Sequence, residues 1–244
     1  MRLDSRKLNE LRPVRIRPEV IRHAEGSVEI EMGNTRVICT ASIDPSVPKW
    51  LSGSGTGWIT AEYGMLPRST HTRISRDKAS SSGRTQEISR LIGRSLRAAV
   101  DLKALGERQI TVDCDVIQAD GGTRTASVTG GFVALALALN FLKNQGAFAV
   151  VPLKNYVAAV SVGLLNDNIL LDLNYEEDAA CGTDMNFVVT DKEQFVEVQG
   201  TAEGTTFSKT QMDEMSLTAF SGCRTLFTKQ AEVVSPFFPL GLKS

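Results

Sequence analysis

The sequence predicts an α+β fold, a single domain over residues 1–244 in which mixed β-sheets are packed by helices. Three observations predict it. Several stretches alternate apolar and polar residues at the period of a half-buried strand; in the clearest, Ile110, Val112, Cys114 and Val116 interleave with Thr111, Asp113 and Asp115. Ala126 to Leu142 is almost wholly apolar, which reads as a helix buried on all sides. No clear linker and no short-period repeat divides the chain, so these elements belong to one packed unit.

Taken in order, residues 2–12 are polar and read as an arm or short helix. Val14-Arg-Ile16 reads as a short first strand. Val28, Ile30 and Met32 alternate with charges, Gly33-Asn34 is a hairpin signal, and Arg36 to Ile43 is the paired strand. Residues 44–57, rich in Pro, Ser and Gly, form a loop, and Trp58 to Leu66 returns to a strand. Pro67 to Ser82 is polar, basic and serine-rich, an exposed and mobile loop. Gly83-Arg84-Thr85 opens a helix whose apolar stripe is Ile88, Leu91, Ile92, Leu96 and Ala99. Arg90, Arg94 and Arg97 lie off that stripe, on a flank free to meet a partner. After the central strand and buried helix come strands at Tyr156–Leu165, Ile169–Leu173 and Asp184–Val189, with a turn at Asn166-Asp167-Asn168. Residues 194–200 alternate once more, and a long helix runs from about Ser208 to Gln230.

Composition narrows the function classes. Hydrophobic content of 42% and charged content of 23% are ordinary for a globular protein. The longest apolar run, Phe132 to Leu142, is too short to span a bilayer. The start, Met-Arg-Leu-Asp-Ser-Arg-Lys, lacks the apolar core of a signal peptide. Cys39, Cys114, Cys181 and Cys223 are scattered, as expected of lone thiols in a reducing cytosol. Only His23 and His71 occur, which argues against a His-rich zinc site or a Ser–His–Asp triad. The net charge of −1 conceals an asymmetry. Residues 68–108 hold ten Lys/Arg against four Asp/Glu, and residues 160–214 hold two against twelve. A basic band suits a polyanion and an acidic region suits a divalent cation, although both also serve as solvated faces.

Two stretches carry chemistry. In the first, the strand ends at Asp120-Gly121-Gly122, and Thr123 or Thr125 can cap the apolar helix that follows. A helix N-terminus offers free backbone N–H groups and partial positive charge, and Arg124 adds a permanently charged fork. The sum is an anion site suited to phosphate. A purely structural turn explains the same residues equally well when they are taken alone. No G-x-x-x-x-G-K-[ST] loop is present. Arg84, in the first turn of its helix, sits where the dipole disfavours a cation, which suggests that it serves an anion there. The second stretch runs from Asp172 through Asp178 to Asp184 and Asn186. A bend at Gly182 would let a hairpin bring Asp178 and Asp184 onto one side, a pair suited to Mg²⁺ with waters. On spacing alone an acidic surface hairpin is the simpler account.

The chain resembles the ribonuclease PH family, phosphate-dependent 3′-to-5′ exoribonucleases that are tRNA nucleotidyltransferases. The matching stretches are Met1-Arg-Leu-Asp-Ser-Arg, Gly57 to Arg73, Gly83 to Arg97, Asp113 to Gly131 and Asp178 to Asn186, spread over nearly the whole chain. Ile74-Ser75, Asp77-Lys78 and Ser89 depart from the family pattern. The resemblance implies a ribonuclease PH-like fold and a phosphate site at Arg84, Gly122, Thr123 and Arg124. It implies a catalytic acidic pair at Asp178 and Asp184, thought to hold Mg²⁺, and RNA-entry or subunit-contact roles for Arg68, Arg73 and Arg76. It also implies inorganic phosphate as co-substrate, RNA as partner with tRNA precursors as usual substrate, and a homohexameric ring built as a trimer of dimers. A cytoplasmic location, with no membrane or DNA partner, goes with it.

In that chemistry phosphate replaces water, attacks the last 3′ phosphodiester and releases a nucleoside diphosphate. The reverse reaction adds nucleotides. Two anions must be held together, which calls for Arg84, Arg124 and backbone donors. Two other readings stand beside it. One is a catalytically silent ring subunit that binds RNA, which the presence of Arg84, Arg124, Asp178 and Asp184 opposes. The other is a small-molecule kinase on a similar fold, which lacks a nucleotide-cradling loop.

Overall fold

The computed structural model describes residues 2, 4–76, 82–203 and 206–239. The first sheet contains β1 (Val14–Pro18), β2 (Gly26–Met32), β3 (Thr35–Asp44), β4 (Trp58–Met65) and β5 (Gln109–Gln118), in the order β1-β2-β3-β5-β4. Neighbours run antiparallel except β4 and β5, which are parallel. A parallel pair needs a long crossover. Here α1 (Gly83–Ala99) and the short α2 (Leu102–Leu105) supply it. The second sheet is antiparallel, ordered β7-β6-β8-β9, from β6 (Val157–Leu165), β7 (Asn168–Leu171), β8 (Thr183–Thr190) and β9 (Phe195–Ala202).

The apolar helix α3 (Thr123–Asn144) lies between the two sheets. It packs on β2, β3 and β5 from one side and on β6 and β8 from the other, with α1 and α5 (Lys209–Val234) alongside. Enclosure on all sides is why it carries no polar stripe. One apolar cluster runs from Val28 through Phe132 to Phe187 and Phe227, so both sheets share a core. The helix exceeds the apolar run read from the sequence and is long and apolar enough to cross a membrane, yet it is core.

Strands and long helices fall where alternation and stripe put them, with ends shifted by a few residues. The last helix extends to Val234 and is capped by Ser208, whose hydroxyl accepts from the Gln211 amide. Two expectations change. Two of the three arginines on the α1 flank are engaged: Arg94 pairs with Glu197 of β9 at 2.5 Å, and Arg97 lies over the Trp58 ring while donating to the Ile59 carbonyl at 2.8 Å, whereas Arg90 is exposed and bonds to Gln86 of its own helix. The basic loop is partly tied down: Ser69 is buried and its carbonyl accepts from the Ala119 amide at 2.8 Å. Residues 77–81 of that loop lie outside the described residues. Ser89, a departure from the family pattern, has a structural use. Its hydroxyl accepts from the Tyr63 amide of the edge strand β4 at 3.0 Å and donates to the Thr85 carbonyl at 2.9 Å.

Candidate active site

The turn between β5 and α3 demands glycine. Gly121 and Gly122 have φ of +71° and +64°, a region costly for other L-residues. A Cβ on Gly121 would also meet the Leu173 carbonyl at 2.5 Å. Gly122 is the N-cap of α3, and no side chain caps it. Neither threonine serves as the expected cap. Thr123 Oγ1 bonds to the Tyr63 hydroxyl at 2.8 Å, and the Thr125 hydroxyl donates back to the Gly122 carbonyl at 2.9 Å. Among the described residues the N–H groups of the first turn therefore have no side-chain acceptor, and they keep their partial positive charge.

Arg124 projects from this first turn toward β9. Its Nη1 donates to Gln199 Oε1 at 2.9 Å, and Glu87 of α1 lies 3.6 Å away. Gln199 in turn donates to Glu87 at 3.3 Å and Glu197 at 3.2 Å, so the fork is held by a relay from two elements. Arg84 is exposed in the first turn of α1, which Ser82 caps by accepting from the Thr85 amide. Burial pushes the Tyr63 phenol above its usual range, against the Thr123 hydrogen bond and the positive charges of Arg84 and Arg124.

Asp178 and Asp184 do not share a hairpin. Asp178 sits on α4 (Tyr175–Ala180), and Asp184 lies near the start of β8. The helix is fixed at its N-terminus by a capping box. Asn174 accepts from the Glu177 amide at 2.9 Å, and Glu177 accepts from the Asn174 amide at 3.1 Å. Thr201 of β9 donates to Asp184 Oδ1 at 2.7 Å. The Asp178 carboxyl is raised above the usual carboxylate range, by desolvation first and by Asp184 second, while Arg84, Arg124 and Arg12 pull it down. Asp178 still has an edge open to solvent. Gln199 and Thr201, two residues apart on β9, thus tie Arg124 and Asp184 to one strand; Asp178 stands on the short helix just before β8, and Arg84 stands three residues before Glu87, which lies 3.6 Å from Arg124. Arg68, Arg73 and Arg76 follow β4; Arg68 lines a cavity with Asp120 and Tyr175, and Arg76 lines one with Tyr63 and Thr85. All three are exposed and have no ion-pair partner among the described residues.

Residues 2–12 and Asp172 carry a structural role that no local pattern reveals. Arg2 is buried and donates to both carboxylate oxygens of Glu177 at 2.6 Å. Arg6 donates to the Asp172 carbonyl at 3.0 Å and lies 3.4 Å from Glu177. Arg12 grips the fully buried Asp172 with its backbone N at 2.8 Å, Nε at 3.0 Å and Nη2 at 2.7 Å. The arm thereby anchors the start of α4. A positive φ of +54° at Asp172 marks a forced backbone, which no local pattern announces.

Comparison with known proteins follows the same geography. Residues 10–139 match the 3′ exoribonuclease family, domain 1, and residues 155–222 match domain 2 of that family. Ribonuclease PH of Bdellovibrio bacteriovorus is 62% identical over 240 residues, spanning 98% of this chain and 99% of that protein. Among solved structures, a chain of the Archaeoglobus fulgidus exosome with RNA bound to the active site superposes with a TM-score of 0.78 at 23% identity, covering 93% of this chain and 92% of that one. Rice (Oryza sativa) Rrp46 gives 0.75 at 18% identity, covering 97% and 99%. At these identities the structural likeness speaks to fold alone.

Proposed function

The chain belongs to the 3′ exoribonuclease family, and from that premise we propose which of its groups hold each reactant. It is a phosphorolytic 3′-to-5′ exoribonuclease, a phosphate-dependent tRNA nucleotidyltransferase. It removes 3′-terminal nucleotides from tRNA precursors with inorganic phosphate as co-substrate, releasing nucleoside diphosphates.

The observation that carries the assignment is that β9 joins Arg124 and Asp184, through Gln199 at 2.9 Å and Thr201 at 2.7 Å, two residues apart on one strand. Phosphate sits at the uncapped start of α3, against the N–H groups of Thr123 and Arg124 and the Gly122 backbone, with Arg84 and the Arg124 fork neutralising it. Phosphate and the scissile phosphodiester repel, and only cations and aligned dipoles on both sides bring them within reach. Gln199 keeps the Arg124 guanidinium oriented before the reactants arrive. Asp178 and Asp184 would hold Mg²⁺. Their hard oxygen donors fit that ion; among the described residues no group of three or more such ligands exists to make a dedicated all-protein site. When bound, the ion would supply positive charge to offset the negative charge that develops in the reaction.

Arg68, Arg73 and Arg76 are assigned to RNA entry and to contacts in a homohexameric trimer of dimers. Their exposure, and the absence of an ion pair to any of them among the described residues, support this. Both matched segments share one apolar cluster, which supports a single catalytic unit over residues 1–244. Action on tRNA precursors goes with a cytoplasmic location.

The test is incubation with 3′-extended tRNA and Mg²⁺, with or without phosphate. Nucleoside diphosphates should appear only with phosphate. Monophosphates formed in plain buffer would mean hydrolysis and would sink the mechanism. Replacing Arg68, Arg73 and Arg76 together by Ala should lower the assembly mass in light scattering. It should also weaken tRNA binding by roughly tenfold or more at low salt, because each lost phosphate contact removes counterion release. An unmodified protein that scatters as a monomer would contradict the ring.

A further inference from the structure

We infer that Arg12 is a positioning residue for the phosphate turn: locked onto buried Asp172, its guanidinium holds the Asp120 carbonyl and the face of Gly122 in place. The inference rests on the reading that phosphate binds at Gly122 to Arg124.

The fork of Arg12 is fully committed. Nε and Nη2 take the two oxygens of Asp172 at 3.0 and 2.7 Å, and Nη1 donates to the Asp120 carbonyl. Nη2 also lies against Gly122, where a Cβ would stand 2.9 Å from it. Arg12 is only 4% exposed, so it acts through the turn rather than on a reactant. The rest of the turn converges on the same atoms. The Thr35 hydroxyl donates to the Gly121 carbonyl at 2.6 Å and accepts from the Asp120 amide at 3.0 Å. The Asp120 carboxylate accepts from Asn34 at 3.1 Å and from the Tyr175 amide, at the start of α4, at 3.2 Å. Thr35 and Asn34 hold the turn from the sheet. Arg12 holds it from beneath, through an acid on the chain that leads into α4. The turn that presents the phosphate donors is thus referenced to one buried pair.

A rival account is that the pair merely stabilises the core. Buried ion pairs add little net stability over a well-packed neutral substitute, because desolvation offsets the attraction. The geometric role is separable from that account. Arg12→Lys keeps the charge but loses the planar fork. Arg12→Gln combined with Asp172→Asn leaves a neutral hydrogen-bonding pair, and Asn tolerates the positive φ at position 172.

The experiment is steady-state phosphorolysis by full-length protein with phosphate and tRNA varied separately, alongside melting temperature and assembly mass. The expected result for both variants is a KM for phosphate raised about tenfold, with kcat and the KM for tRNA unchanged and Arg12→Lys no better than the neutral pair. A fall in kcat with an unmoved phosphate KM would mean fewer active molecules and would overturn the inference. So would failure of both variants to fold, since Arg12 would then hold the core rather than the turn. Arg124→Ala is titrated in parallel. If it too leaves the phosphate KM unmoved, the anion-site reading itself has failed.

Discussion

Asp178→Asn should reduce turnover roughly a hundred- to a thousandfold, the effect of losing a metal ligand beside a developing charge. It should do so without loss of fold or assembly. The direction of the Asp178 shift sharpens this expectation. Desolvation, then Asp184, raise the folded-state pKa above the unfolded value. Such a carboxyl favours the folded state only while protonated, so its contribution is present below the ordinary carboxylate range and lost as pH rises through the raised value. Without Mg²⁺, the variant should melt with the parent at low pH and at or slightly above it near neutrality. Solvent at the exposed edge of Asp178 keeps that gap small. Added Mg²⁺ should raise the parent and not the variant. Melting curves across pH with and without Mg²⁺ check this, and a variant that melts well below the parent at neutral pH would make Asp178 a structural residue. Asp184→Asn should lose turnover similarly, with a modest stability cost from its hydrogen bond to Thr201.

Arg124→Ala should weaken catalysis by roughly ten- to a hundredfold or more, since a charge-assisted hydrogen bond contributes about 1.5–3 kcal/mol. The loss should fall on the use of phosphate in degradation and of diphosphate in synthesis, and RNA binding should be largely spared. The upper end is expected because removing the guanidinium leaves Glu87 without its cation, close to where an anion must bind. Arg124→Lys should rescue little, because a point charge cannot engage Gln199 and phosphate as a planar fork does. A phosphate titration at fixed tRNA, paired with a gel-shift assay, measures both effects. Normal phosphate dependence in Arg124→Ala would place the anion elsewhere.

The parts of the site legible in the sequence are those with local chemistry. Gly121-Gly122 announce a turn, the apolar run after them announces a buried helix, and Arg124 follows directly. The stripe of α1 located its start and so placed Arg84. What escaped was set by partners distant in sequence. The six residues of α4 are too few for a 3.6-residue period to show, so Asp178 was read into a hairpin. Gln199 looked like one polar position in an alternating strand until β9 brought it to Arg124. Arg94 looked free because its acid, Glu197, is 103 residues away. The polar sequence of residues 2–12 reads as an arm or short helix and does not show its anchorage, because the acids that hold Arg2 and Arg12 are Glu177 and Asp172, and buried ion pairs leave no trace in hydropathy.

That long reach sets a schedule for the molecule as it is made. Arg12 and Asp172 are separated by 160 residues, and Arg2 and Glu177 by 175. A ribosome adding about 5–20 residues per second needs on the order of ten seconds between one end of this clasp and the other. Through that interval β1, β2, β3 and β5 can already pair, but Arg2 and Arg12 lack Glu177 and Asp172, and Asp178 has not been made. Closing so large a loop costs chain entropy, which the second sheet offsets once it is complete. A nascent chain that stops short of Glu177 therefore lacks both the clasp and the acid beside it that is assigned to the metal.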